Sequence, residues 1–187
     1  VSGRADGEWH SGVFVRRRIA YLSVGSGGSD SYPEPDFYTI DVANPAAPTV
    51  LGSITFSNNN HGTDDVAVYG DYAYLASRDE DTALYIVNIM NPATPTLIST
   101  FTLPGFDEAA KTVAVRYPYV FLGTYDEGGS GVNDREFWVI NVTNPATPTL
   151  AASLEFDGDI NDIVLDGNWA YVAANGDYKE MAVLDIT

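Results

Sequence analysis

Apolar residues in this chain fall into short runs separated by turns, and no segment holds a helical period. Four pairs of runs recur: Val13-Phe14-Val15 with Ile19-Ala20-Tyr21-Leu22, Val66-Ala67-Val68 with Tyr72-Ala73-Tyr74-Leu75-Ala76, Val113-Ala114-Val115 with Tyr119-Val120-Phe121-Leu122, and Ile163-Val164-Leu165 with Trp169-Ala170-Tyr171-Val172-Ala173. The step between the two runs is the same in every pair, which predicts four tight β-hairpins. Gly70-Asp71 and Gly167-Asn168 are usual turn residues. Tyr117-Pro118 and Arg17-Arg18 are not, and predict turns of another type. A third strand follows each hairpin, at Phe37–Val42, Leu84–Ile89, Phe137–Val142 and Met181–Ile186. A fourth follows the first three of these, at Val50–Phe56, Leu97–Phe101 and Leu150–Phe156.

Between the third and fourth strands lies a repeated hexapeptide. Asn44-Pro45-Ala46-Ala47-Pro48-Thr49 returns as Asn91-Pro92-Ala93-Thr94-Pro95-Thr96 and as Asn144-Pro145-Ala146-Thr147-Pro148-Thr149, at intervals of 47 and 53 residues, with five of six positions identical. Proline lacks an N–H and fixes φ, so the first proline ends the ladder in a defined turn and the second stiffens entry into the next strand. Four short antiparallel strands per repeat of roughly 50 residues is the pattern of a β-propeller blade. The second and third strands are apolar on both faces, as expected of sheets packed between two neighbours. The expected fold is therefore all-β, a β-propeller of four-stranded antiparallel blades at about 11–56, 64–103, 111–156 and 161–187, the last incomplete, with residues 1–10 as an N-terminal extension.

The third strand and its loop resemble the LVIVD-repeat β-propellers, whose pattern runs Leu-x-Ile-Val-Asp, an aliphatic residue, a small residue and Asn-Pro-x-x-Pro. Leu84 to Val87 match it best; Asp41 and Asp185 keep the acidic position, and Asn88 and Asn141 replace it. The resemblance covers nearly the whole chain after the first ten residues. It implies the fold and a secreted or surface-attached setting, and brings no catalytic motif with it.

Asp185-Ile186-Thr187 aligns with Asn141-Val142-Thr143, so the fourth blade has three strands within this sequence. An unpaired strand edge invites pairing. Three arrangements satisfy it: a fragment of a larger propeller, a small four-bladed ring closed by the N-terminal segment, or a strand from another chain, which is self-assembly through the incomplete blade. The absence of an initiator Met and of a secretory signal suggests a processed or excised piece.

Charge changes the picture next. The chain has 26 acidic and nine basic residues, a net charge of −17, and no cysteine. The lack of cysteine excludes a disulfide scaffold, a thiolate metal site and a thiol nucleophile. The charge argues against nucleic acid and anionic lipid as partners. No apolar run approaches the roughly 20 residues of a membrane span, so direct membrane insertion is not expected. With the first strand of each blade innermost, the loops on one face take 19 of the 26 acids and only Arg78, Lys111, Arg135 and Lys179 of the bases. Such a face attracts a protein, peptide or other cationic ligand, screened by salt. The candidate ligand-binding residues there are Asp64, Asp65, Asp79, Asp81, Asp107, Glu108, Asp126 and Glu127. Acidic loops also serve solubility alone.

Specific chemistry is sparse. Asp157, Asp159 and Asp162 lie within six residues and form a candidate calcium loop, since calcium takes several hard oxygens. The same residues suit a turn whose carboxylates accept local N–H groups. His10 and His61 are the only histidines; His61 with Asp64 and Asp65 at the channel mouth is the constellation a propeller hydrolase or lyase would use. No Gly-x-Ser-x-Gly or phosphate-binding loop is present. The aromatics Tyr21, Tyr74, Phe121 and Tyr171 share one position of the second strand and predict packing between blades. The expected role is a non-catalytic secreted or cell-surface propeller for binding, adhesion or assembly. The alternatives are the propeller enzyme and a purely structural repeat module of a larger surface or pilus-like protein.

Overall fold

A computed structural model describes residues 12–25, 35–56, 62–79, 81–104, 109–125, 135–156, 158–176 and 180–187. Every regular element among them is a strand. The first sheet comprises β1 (Val13–Arg16), β2 (Ile19–Ser23), β3 (Phe37–Asp41) and β4 (Thr49–Ile54). The second comprises β5 (Thr63–Tyr69), β6 (Tyr72–Asp79), β7 (Thr82–Asn88) and β8 (Thr96–Phe101). The third comprises β9 (Ala110–Arg116), β10 (Tyr119–Thr124), β11 (Phe137–Asn141) and β12 (Thr149–Leu154). The fourth holds β13 (Ile160–Asp166), β14 (Trp169–Ala174) and β15 (Met181–Asp185). Each sheet is a simple antiparallel meander in chain order. The first strands of successive sheets lie side by side, β1 by β5, β5 by β9 and β9 by β13, so these are the innermost strands. Among the described residues the sheets form an arc that is not closed.

The predicted hairpins are present, with Val13 opposite Leu22, Val66 opposite Leu75, Val113 opposite Leu122 and Ile163 opposite Val172. Gly70 and Gly167 enter their turns at φ 60° and 56°. Arg17 and Arg18 take φ 59° and 110°, where a side chain is strained and glycine is not. The Tyr117–Pro118 bond is cis. The unusual turn residues thus do mark turns of different geometry.

The hexapeptide loop is held by its own side chains. The Oδ1 of Asn44, Asn91 and Asn144 accepts the N–H two residues on, at 3.2, 3.1 and 3.2 Å. The carbonyls of the same residues accept the N–H three residues on. The residue at the end of the third strand does likewise: Asp41, Asn88, Asn141 and Asp185 each accept, through Oδ1, the N–H two residues on, at 2.8 to 3.0 Å. Asp and Asn share this oxygen, which is why the repeat exchanges them freely. Asn91→Ala is expected to cost about 1–2 kcal/mol, read in a thermal melt as a Tm fall of roughly 3 °C per kcal/mol.

Three apolar clusters fill the spaces between sheets. Tyr21, Phe37 and Phe56 of the first sheet meet Val66, Leu75 and Tyr85 of the second. Tyr74, Leu84 and Ile86 meet Val113, Leu122 and Trp138. Phe121, Phe137 and Phe156 meet Ile163, Ala170 and Val172. The recurrent aromatic is buried at Tyr21, Tyr74 and Phe121, as its position predicts. Tyr171 is 36% exposed, because among the described residues no sheet packs on that side of the fourth.

Candidate functional site

The inner strands bring the sequence's best candidates together at the loop-bearing end of the arc. Asp64 and Asp65 were expected in a loop before the strand; they lie inside β5. Strand geometry sends successive side chains to opposite faces, and the two carboxylates have different neighbours.

Asp65 sits at the hub. Its Oδ2 accepts Thr112 Oγ1 and the Val113 N–H, both at 3.0 Å, and its Oδ1 accepts the Val66 N–H at 2.7 Å. On its other side a Cβ on Gly12 would come within 2.3 Å of Oδ1. Gly12, Asp65, Thr112 and Asp162 are equivalent positions of the four repeats, so one carboxylate of the second sheet bonds the third and abuts the first. Burial raises its pKa, against the pull of Val113, Val66 and Thr112 and with help from the charge of Asp162.

Asp64 is 3% exposed. Its Oδ1 faces Arg78 Nε at 3.6 Å and its Oδ2 accepts the Tyr125 hydroxyl at 3.0 Å. Burial, then the Asp64 charge, pushes the Tyr125 pKa up to about 12. Lys111 Nζ lies 4.7 Å from the centre of the Tyr125 ring and donates to Asp159 Oδ2 at 3.2 Å. Asn175 Nδ2 reaches the same oxygen at 3.3 Å. A polar chain therefore runs from the second sheet through the third to the fourth: Asp64 and Arg78, Tyr125 and Lys111, Asp159 and Asn175.

The acidic face is consequently less uniform than its charge count. Asp79 is buried and its Oδ1 accepts the Asp81 N–H at 2.9 Å. Asp36 and Glu136, also counted on that face, are buried; Asp36 accepts the Phe56 N–H at 2.6 Å, and Glu136 accepts the Phe156 N–H at the equivalent place. These carboxylates fasten the fourth strand to the third. Asp81, Asp162 and Glu180 are exposed. Asp107, Glu108, Asp126, Glu127, His10 and His61 lie outside the described residues, as does Asp157 of the calcium candidate. Of that candidate's other members, Asp159 is held by Lys111 and Asn175, and Asp162 is exposed. Among the described residues no group of three or more His, Asp or Glu side chains is placed to hold a metal ion. No helix among them is long and apolar enough to cross a membrane.

Sequence reasoning named Arg78 only as a basic residue of the acidic face and gave Tyr125 and Thr112 no role. Their types are ordinary for strand ends, and only the packing of neighbouring blades makes them partners. Lys111 had a signal, as a cation at the position where the second repeat has Asp64.

A comparison with curated protein sequences returns no match. Among solved structures, the chain resembles the crystal structure of the computationally designed Ika4 protein, with a TM-score of 0.65 and 12% identity over 100% of this chain and 96% of that one. It also resembles the computationally designed Ika8 protein, with a TM-score of 0.50 and 12% identity over 93% of this chain and 57% of that one. At such identity the likeness concerns the fold alone. The LVIVD repeat family model matches residues 62–102, the second sheet with its Asn-Pro loop, and residues 157–187, the fourth. The chain thus carries LVIVD repeats at these two stretches.

Proposed function

We propose that this chain is a non-catalytic binding propeller of a secreted or cell-surface protein, engaging cationic protein or peptide partners through its loop-bearing acidic face. The observation that carries this reading is the division of labour among its carboxylates. Asp64 and Asp65, which a hydrolase or lyase at the channel mouth would need together with His61, are occupied by Arg78, Tyr125, Thr112 and backbone N–H groups. A buried carboxylate facing such partners is poorly placed to take a proton from a substrate. Asp81, Asp162 and Glu180 point the remaining charge outward on the same face. With a net charge of −17, a basic partner is attracted from a distance set by ionic strength.

The test is titration of a fluorescent oligolysine peptide against the protein at low and at physiological salt. Binding that weakens about tenfold with added salt is expected. The triple variant Asp81→Asn, Asp162→Asn, Glu180→Gln should weaken binding several-fold with an unchanged Tm. A control triple on the opposite side, Asp41→Asn, Asp71→Asn and Asp185→Asn, should leave binding nearly intact. No binding at low salt, or equal loss in both triples, sinks the proposal.

A further inference from the structure

One inter-sheet contact is built three times in this chain and left half-made at each end. Each sheet has a leading face, which packs on the next sheet, and a trailing face, which packs on the one before. The fourth sheet's leading face carries Val164, Trp169, Tyr171, Met181 and Val183. These repeat the positions of Ala114, Tyr119, Phe121, Phe137 and Val139, which pack against the fourth sheet from the third. Met181 is 64% exposed where Phe137 is 3%. The first sheet's trailing face carries Val13, Val15, Leu22 and Ile40, repeating Val66, Val68, Leu75 and Val87, which are buried against the first sheet. Val15 is 61% exposed where Val68 is 6%.

The outer turns show which surfaces belong together. The last residue of each innermost strand reaches the hairpin turn of the next sheet. Arg16 Nη1 donates to the Gly70 carbonyl at 2.7 Å. Tyr69 stacks on Tyr117 with centroids 5.4 Å apart. Arg116 Nη1 donates to the Gly167 carbonyl at 2.5 Å and to Asn168 Oδ1 at 3.3 Å. In the fourth sheet this position is Asp166, exposed. The one hairpin turn that receives no such contact from within the described chain is that of the first sheet, Arg17-Arg18, also exposed. An acid stands where the reaching residue should be and two cations stand where it should land. Those arginines hold left-handed backbone that glycine or asparagine would occupy without strain, and strain of this kind collects at functional surfaces.

We infer that the leading face of the fourth sheet seats on the trailing face of the first sheet of a second copy, with Asp166 meeting Arg17 and Arg18. The contact is head-to-tail, and made twice it closes two chains into an eight-bladed ring, within the range propellers adopt. This rests on the apolar faces and outer turns; it shares only Asp162, the counterpart of Asp65, with the acidic face, and is tested at other residues, so it stands or falls apart from the binding role proposed above.

The experiment is mass measurement by light scattering or sedimentation across a dilution series, with a species of twice the 20.2 kDa chain expected at high concentration. Val15→Glu spoils only the trailing face and Met181→Glu only the leading face; both positions are exposed, so the chain still folds, which circular dichroism checks. Each variant alone should be monomeric, and an equimolar mixture should associate again, because one sound pair of faces remains. Asp166→Arg should weaken the dimer about tenfold, and adding Arg17→Asp should restore it. Three results overturn the inference: a wild-type monomer throughout the series, a dimer that survives Val15→Glu or Met181→Glu, or a mixture that stays monomeric.

Discussion

Asp65→Ala is expected to destabilise the fold by about 2–4 kcal/mol, and so to lower Tm by roughly 5–15 °C. The substitution leaves the Val113 and Val66 N–H groups and the Thr112 hydroxyl without their acceptor at the junction of three sheets. Each loss of a buried partner costs about 1–3 kcal/mol, and release of a charge whose burial is unfavourable offsets part of the total. Asp65→Asn keeps an acceptor oxygen and should cost about 1 kcal/mol. The comparison by chemical denaturation separates hydrogen bonding from charge; equal losses in the two variants would refute the hub assignment.

The same residue sets a pH dependence opposite in sign to that of a salt-bridged carboxylate. Burial raises the pKa of Asp65 and of Asp36 above the ordinary 3.8. The folded state then binds protons more tightly than the unfolded state, so stability from these groups is lost as pH rises from about 3.8 through the raised folded values. From neutral pH, mild acidification should therefore raise Tm. Relief of self-repulsion at −17 works in the same direction. Asp65→Asn should flatten the profile in that interval.

Gly52→Val is expected to be about as damaging, at about 3 kcal/mol or more. A Cβ at Gly52 would lie 2.6 Å from the Pro92 carbonyl oxygen, 2.8 Å from that of Ala93 and 2.8 Å from Pro95 Cδ. Two of these are backbone atoms of a loop already fixed by Asn91 and two prolines, so the neighbour cannot yield cheaply. The closeness has a purpose, since Thr39 Oγ1 donates to the Pro92 carbonyl at 2.5 Å across the same gap. In the next repeat Ser99, at the position of Gly52, donates to Pro145 at 2.6 Å instead. The Asn-Pro loop is thus a contact with the preceding blade as well as a turn. A Gly52→Val protein with wild-type Tm would show that the blades are not held this closely.

Much of the architecture was legible in the sequence because it is local and repeated. The hairpin steps, the Asn-Pro turns and the third-strand apolar runs depend on residues a few positions apart, and each recurs three or four times, so accidental matches average out. Repetition also showed that the fourth sheet has three strands within this sequence. The candidate site was legible only in outline. Asp64, Asp65 and Asp79 read as surface acids because short strands and loops look alike at their junctions, and a carboxylate's burial depends on what the next blade places against it. The exchange of Asp and Asn at the end of the third strand looked like a departure from the family pattern; the structure shows a shared oxygen doing one job.

By itself, the sequence determined the all-β repeat, its strand order, its turns and its net charge, because these follow from spacing, from the backbone limits of proline and glycine, and from counting. Only the tertiary structure decided which acids are free. Asp64, Asp65, Asp36 and Glu136 lose water to neighbours far away in the chain, and Asp81, Asp162 and Glu180 keep it. It also decided that the first and fourth sheets keep open apolar faces, since the closure of an arc depends on how all its sheets stack, and no single repeat encodes that.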